Sequence, residues 1–268
     1  MTSKHVPLSD EEINAFQVRT EMLQTISRSA EALNIERENV RILDWGCGRG
    51  RTVIKLLEMG IDAYGVDIDP GPLENGADAF HRRGENPAHR LRLIKVDAST
   101  PFPDGFFHLV LSDQVFGHVQ DLDAVAAELK RVTMPGGMGL HFFPAKWRIV
   151  EPHLFVPFVH WLPKNRIRRV YLRAMLKRIP SWEGLESKTP SQRAQVYYEY
   201  SVQKTHYRPL RRIRQTLLRA GFRTRFQLGE HRFRRLVRWT GPIGHRVMGI
   251  WSNHFHEVTL STQLPRLP

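Results

Sequence analysis

Near the amino end, Ser9-Asp10-Glu11-Glu12 places a serine three residues before a glutamate, and apolar Ile13, Phe16, Leu23, Ile26 and Ala30 follow at helical intervals. The pattern predicts a leading helix, and residues 1–35 read as an N-terminal cap on a main domain over 36–268. Short apolar runs and amphipathic stretches then alternate. Strands are expected at 40–43, 63–66, 91–96, 107–111 and, after a Pro135-Gly136-Gly137 turn, 138–143. Helices are expected near 52–59, 72–81 and 122–132. Such alternation predicts the α/β class, with a doubly wound, mostly parallel sheet.

Beyond Pro144 the rhythm changes. Residues 145–205 hold prolines, aromatics and a basic helix expected at 165–179, and read as an insertion that lids the sheet edge. Leu210, Ile213, Leu217 and Leu218 mark a helix ending at Gly221, and strands at 223–228 and 256–261 would complete a seven-stranded sheet. A second insertion is expected at 230–252.

Composition narrows the class. With 268 residues, 41% hydrophobic, the chain suits one globular catalytic domain with an elaboration. The longest uncharged apolar stretch, 154–163, includes a histidine and two prolines and is too short to span a bilayer. The N-terminal residues lack an apolar signal core, so a cytoplasmic location is expected. The single cysteine, Cys47, has no internal disulfide partner. Charge is uneven: up to Pro144 there are 15 Lys+Arg against 21 Asp+Glu, and after it 25 against 6. An acidic partner for the second half is one reading, whether an anionic acceptor, an anionic membrane surface or nucleic acid; a solvated basic face is the other.

The candidate chemistry starts at Asp44-Trp45-Gly46-Cys47-Gly48-Arg49-Gly50, a strand running into a glycine turn where backbone must approach a ligand closely. A dinucleotide fingerprint would want glycine where Arg51 stands, which disfavours hydride chemistry. Asp67 ends the next strand, 21 residues after Gly46, where a carboxylate accepts hydrogen bonds from ribose hydroxyls, and Asp97 ends the third strand. Ligands of such sheets bind beyond the carboxyl ends of the strands, so the three loops converge on one crevice. Cys47, between two glycines and with no histidine close in sequence, reads as a small turn residue and not a nucleophile.

The strings D-x-G-C-G-x-G (44–50), Y-G-V-D (64–67), V-D-A (96–98) and R-V-x-x-P-G-G (131–137) resemble the class I S-adenosylmethionine-dependent methyltransferases, within the broad group that includes quinone-biosynthesis methyltransferases. The resemblance covers residues 40–144 and implies a Rossmann-like methyltransferase fold with S-adenosyl-L-methionine as cofactor. It implies that Asp44 and the turn Gly46, Cys47, Gly48 and Gly50 hold the methionine end, and Asp67 the ribose. Ile68 would pack on the adenine, Asp97 and Ala98 would meet its polar edge, and Ser112 would join the cofactor side from the fourth strand.

Methyl transfer is a direct displacement, so the protein must align the acceptor and, where needed, take its proton. His118, in the segment that faces the transferable methyl in this fold, is the candidate base. A packing histidine is the plainer reading. Relatives often show Leu-Glu-His-Val where this chain has Phe116-Gly117-His118-Val119. Glu151, His153, His206 and Tyr207 are candidate acceptor contacts, and no metal is called for. The motifs for methylating base amines, pyrimidine carbons or protein arginines are missing, so the expected acceptor is a small molecule, anionic or lipid-like. An RNA methyltransferase and a non-catalytic S-adenosylmethionine-binding protein are the alternatives. For the aromatic stretch 154–162 and the basic helix after it two readings stand: the aromatics pack as a lid over the cofactor with the arginines in water, or the segment makes peripheral contact with an anionic membrane. In the second reading Ile167, Val170, Tyr171 and Ala174 turn inward while Arg166, Arg168, Arg169, Arg173, Lys177 and Arg178 meet lipid phosphates.

Overall fold

A computed structural model describes residues 6–95, 99–177, 182–227 and 257–266. The strands are β1 (Ile42–Trp45), β2 (Ala63–Asp67), β3 (Leu91–Leu93), β4 (Phe107–Asp113), β5 (Thr133–Pro144), β6 (Arg223–Gln227) and β7 (Glu257–Gln263). They form one seven-stranded sheet in the order β3-β2-β1-β4-β5-β7-β6. The first five are parallel, and β7 runs antiparallel between β5 and β6.

Alternation along the strands sorts residues to two faces. Leu43, Trp45, Val110 and Phe143 pack with Leu122, Leu129, Ile213 and Leu217, from helices α6 (Leu122–Val132) and α9 (Leu210–Arg219). Ile42, Leu109, Leu111 and Phe142 pack on the opposite side, against α1 (Asp10–Ala15), α2 (Thr20–Leu33), α3 (Arg51–Glu58) and α4 (Pro70–His81). A short helix, α5 (Pro87–Arg90), leads into β3. Both faces are covered, which is why all four residues of β1 are buried.

Several expectations change, among them the third strand, which ends at Leu93. The leading helix is two helices: Ser9 makes its capping box with Glu12, but Phe16 has extended backbone and caps α1, and the chain restarts at Thr20. The apolar period crosses the break because both helices bury residues in the same core, Ile13 from one and Met22 and Ile26 from the other. The break lets Arg19 reach Asp113 and Glu257. The first strand begins at Ile42, after a 3-10 turn at Arg37–Asn39 whose cap is Val40. Pro135, Gly136 and Gly137 lie within β5, where register against β4 shifts between Phe107↔Thr133 and Leu109↔Met138, so they form an irregularity inside a strand.

The insertion builds an apolar cluster of its own from Leu154, Val159, Leu172, Leu185 and Tyr197. It contains α7 (Arg166–Met175) and α8 (Pro190–Gln203). Helix α8 escaped the sequence pattern because its buried residues, Ala194, Tyr197 and Ser201, are not strongly apolar, although Thr189 and Gln192 form a capping box. On α7 the expected inner face is not the buried one, and of the cations expected outside, Arg168 alone turns inward among the described residues. Arg168 and Leu172 are buried, while Ile167 and Val170 are exposed. The Arg168 guanidinium donates to the carbonyls of Leu162 and Ser201 and to the Ser201 hydroxyl, which satisfies a cation that has no carboxylate in ion-pair range among the described residues. Segment 230–252 and Arg178 lie outside the described residues.

Candidate active site

The carboxyl end of β1 opens into a turn whose glycines do different work. Gly46, Gly48 and Gly50 have φ of 79°, 56° and 74°, the left-handed region that favours glycine. The Gly46 and Cys47 N–H groups donate to the Val66 carbonyl at 2.8 and 3.0 Å, pinning the turn to β2. A Cβ on Gly46 would stand 2.3 Å from Val115 Cγ2, so the turn is locked against the loop after β4. A Cβ on Gly48 would meet nothing within 4 Å, which leaves backbone open for a ligand.

Carboxylates surround this turn. Asp67 ends β2 and accepts from the Gly48 N–H at 2.8 Å and the Asp69 N–H at 3.0 Å, one bond to each oxygen. Each oxygen keeps a lone pair for another donor. Asp44 is buried, and its carboxyl is pushed up to about 7 by loss of solvent first, then by Asp113 and Asp67, against a hydrogen bond from Thr52. Asp113 is also raised, chiefly by burial, although Arg19 works the other way. That guanidinium lies 2.8 Å from Asp113 and 2.9 Å from Glu257, and stacks over the Phe142 ring at 4.4 Å. Burial pushes the Cys47 thiol well up, consistent with an unreactive small residue.

A cleft of about 260 Å³ opens at this edge of the sheet, and its lining includes Gly46, Asp67, Ile68 and His118. Its apolar walls are Val66, Ile94, Val115 and Val119. Ile68 is half exposed beside Asp67, available to cover a flat ring. The cleft can thus take an apolar ring at Ile68 and hydroxyls at Asp67, and Asp113 lines it as a second carboxylate. Ser112 does not reach it: the residue is fully buried, its hydroxyl 2.9 Å from His141 Nδ1. Asp97 and Ala98 lie outside the described residues.

From the other side, the insertion joins the cleft through His118. The His118 Nδ1–H donates to the Lys204 carbonyl at 2.6 Å, and Nε2 lies 3.1 Å from His153 Nε2. Because a carbonyl only accepts, neutral His118 has a bare Nε2 that takes a hydrogen bond from His153. Burial lowers the His153 pKa, with Glu151 opposing and His118 and Arg148 adding to the shift. The buried Glu151 carboxylate accepts from the Tyr207 hydroxyl at 2.6 Å and from the backbone N–H groups of His153 and Leu154. Burial and then that carboxylate push the Tyr207 phenol far up. His118, Glu151, His153 and Tyr207 therefore form one connected set. His206 joins by its backbone N–H, which donates to the Gly117 carbonyl at 2.6 Å, while its ring meets the Gln203 carbonyl.

Sequence reasoning passed over Arg19, and over Gln114 at a left-handed φ of 63° with its amide on Glu257. Asp113 likewise carries no local signal, because its partner Arg19 lies 94 residues away.

Residues 43–140 match the model of a methyltransferase domain family. A sterol 4-C-methyltransferase from Caenorhabditis elegans is 33% identical over 109 residues, covering 40% of this chain and 32% of that one. A ubiquinone biosynthesis O-methyltransferase from Rhodopseudomonas palustris is 29% identical over 140 residues, 51% of this chain and 52% of its own length. The chain thus spans about a third to a half of these relatives. A solved S-adenosylmethionine-dependent methyltransferase from Mesorhizobium loti shares the fold, with TM-score 0.52, 16% identity, and coverage of 84% of this chain and 90% of that one.

Proposed function

From the premise that residues 43–140 form a class I S-adenosylmethionine-dependent methyltransferase domain, we propose that the chain transfers a methyl group to a small, lipid-like acceptor held between the β4 loop and the insertion. The residues fit the cofactor. Asp44 is a buried carboxyl without a positive partner among the described residues, as an amino-acid ammonium would supply, and Asp67 has oxygens to spare for the ribose hydroxyls. When bound, S-adenosylmethionine supplies an electrophilic methyl carbon on a sulfonium. The observation that carries the reading is that His118 lines the same cleft as Gly46 and Asp67, so proton acceptor and cofactor contacts share one space.

Within it, the chain's own residues do the rest. Val66, Ile94 and Val119 keep water from the cofactor side. His118 Nε2 takes the acceptor's proton when the acceptor displaces His153, while the Lys204 carbonyl holds the ring by Nδ1. Glu151, fixed by Tyr207, positions the hairpin that carries His153. Matched relatives named for a sterol and for ubiquinone biosynthesis support an apolar acceptor.

The test supplies purified chain and labelled S-adenosylmethionine to a cell extract, followed by fractionation. Label is expected in the organic-solvent fraction; label in RNA or protein instead would overturn the acceptor class. A second reading, cofactor binding without turnover, is favoured by the engagement of both His118 nitrogens. Calorimetric binding with no label transfer to any fraction would select it.

A further inference from the structure

Among the described residues no helix is long and apolar enough to cross a membrane, yet the insertion exposes apolar side chains that its own core leaves out. They sit on a hairpin closed by the Val150↔Pro157 bridge and by the Phe158 N–H on the Ile149 carbonyl at 2.7 Å. Ile149, Phe155 and Phe158 are exposed there, Phe155 at 64%. Phe155 and Phe158 hold φ of 54° and 55°, a conformation uncommon for bulky residues. The Phe158 ring packs on Trp161 and Trp161 on Trp147, so the aromatics form a group. Tyr171 of α7 donates to the Pro157 carbonyl at 2.8 Å, which ties the hairpin to the helix. On that helix Ile167 and Val170, 59% and 69% exposed, stand among exposed Arg166, Arg169 and Arg173.

We propose that this hairpin and the outer face of α7 form a docking surface for an anionic lipid bilayer. Residues 145–177 carry eight Lys+Arg and one acid, Glu151, which is buried and already bonded. Among the described residues no ion pair involves Arg166, Arg169 or Arg173, all three exposed, and Arg169 lies over the Tyr198 ring. A bilayer with anionic headgroups matches both components at once, phosphates for the cations and acyl boundary for the aromatic and aliphatic side chains. A nucleic acid would satisfy the guanidiniums and leave Ile167 and Val170 in water. The same hairpin carries Glu151 and His153, so docking brings the acceptor side of the cleft to the lipid surface. The docking itself does not depend on the methyl-transfer reading, since binding is measured without turnover.

The full chain is mixed at low salt with sucrose-loaded vesicles of phosphatidylcholine alone, or of phosphatidylcholine with phosphatidylglycerol, and sedimented. Binding is expected only with phosphatidylglycerol, and salt weakens it. The triple variant Arg166→Gln, Arg169→Gln and Arg173→Gln should lower partitioning about 100-fold, from about 1 kcal/mol per cation near an anionic leaflet. Val170→Ser with Phe155→Ser should lower it about 10-fold or more, as buried apolar area is lost. All altered side chains are exposed, and an unchanged Tm confirms that each variant folds. Absence of binding to the anionic vesicles overturns the proposal. So does binding that the charge variant weakens but the apolar variant leaves intact, with equal affinity for poly(U), which marks a general polyanion site.

Discussion

On the sheet side of the cleft, contacts come from backbone bent through glycines and from aspartates at strand ends, whereas on the insertion side they come from imidazole, phenol and carboxyl groups bonded to one another. The sheet side is set by steric exclusion and is rigid: Gly46 fits against Val115 with no room for a methyl group. The insertion side is set by hydrogen bonds between segments far apart in sequence, such as Glu151 with Tyr207 and His118 with Lys204. A site of this kind separates two tasks. The first side suits a ligand of fixed shape, and in the proposed function the second exchanges one partner for another as an acceptor enters.

The largest expected effect breaks the sheet side alone. Gly46→Val places side-chain carbon into Val115 at a φ of 79°, and S-adenosylmethionine binding by calorimetry should fall below detection. Asp67→Ala should cost about 1.5 to 3 kcal/mol of the same affinity, as hydrogen bonds to a charged group are lost. Full affinity in both variants would remove the cofactor from this cleft. On the insertion side, His118→Ala should keep cofactor affinity and slow label transfer by about 100-fold or more, the range of a lost general base. Unchanged transfer would make the ring a clasp between loop and insertion only.

A smaller effect concerns pH. Because the Asp44 carboxyl sits at about 7, above its ordinary 3.8, the folded chain holds a proton that the unfolded chain has released across that window. Stability of the ligand-free protein therefore declines from this group as pH rises from about 4 to 7, and Asp44→Asn should lack that decline. A cationic ligand needs the ionised form, so cofactor affinity should fall about tenfold for each unit below pH 7. Affinity that is flat between pH 8 and 6 would show that Asp44 does not face the ligand's cation. The smallest change is Tyr207→Phe. It strips one donor from buried Glu151 at a cost of about 1 to 3 kcal/mol, read as a Tm lower by a few degrees with cofactor affinity intact.

The same contrast decides what could be read in advance. Asp44, the glycine turn and Asp67 lie in short strings at strand ends, and period-two and period-3.6 patterns place those ends without tertiary knowledge. Helix α6 fell on Leu122–Val132 as expected because Asp121 caps it and a regular apolar stripe follows. The leading helix was misjudged because burial in a shared core preserves periodicity through a break in the backbone. The inner face of α7 is not legible from its apolar residues because one arginine replaces them there: Arg168 finds the carbonyls of Leu162 and Ser201, while Ile167 and Val170 stay outside. Arg19 carried no local signal, since its partners are 94 and 238 residues distant.

Strand β7 has a bearing on how the molecule is made. It sits between β5 and β6, so β6 has no place in the sheet until β7 has arrived, and β5 leaves the ribosome with an unpaired apolar edge. During synthesis the nascent sheet waits through more than a hundred residues, from Pro144 to Glu257, with Leu140, Phe142 and Phe143 beside that edge. An open strand edge is a template for pairing with another chain. Biogenesis thus favours slow, shielded emergence, and shortened chains ending before residue 257 should collect as aggregates even though their glycine turn is complete.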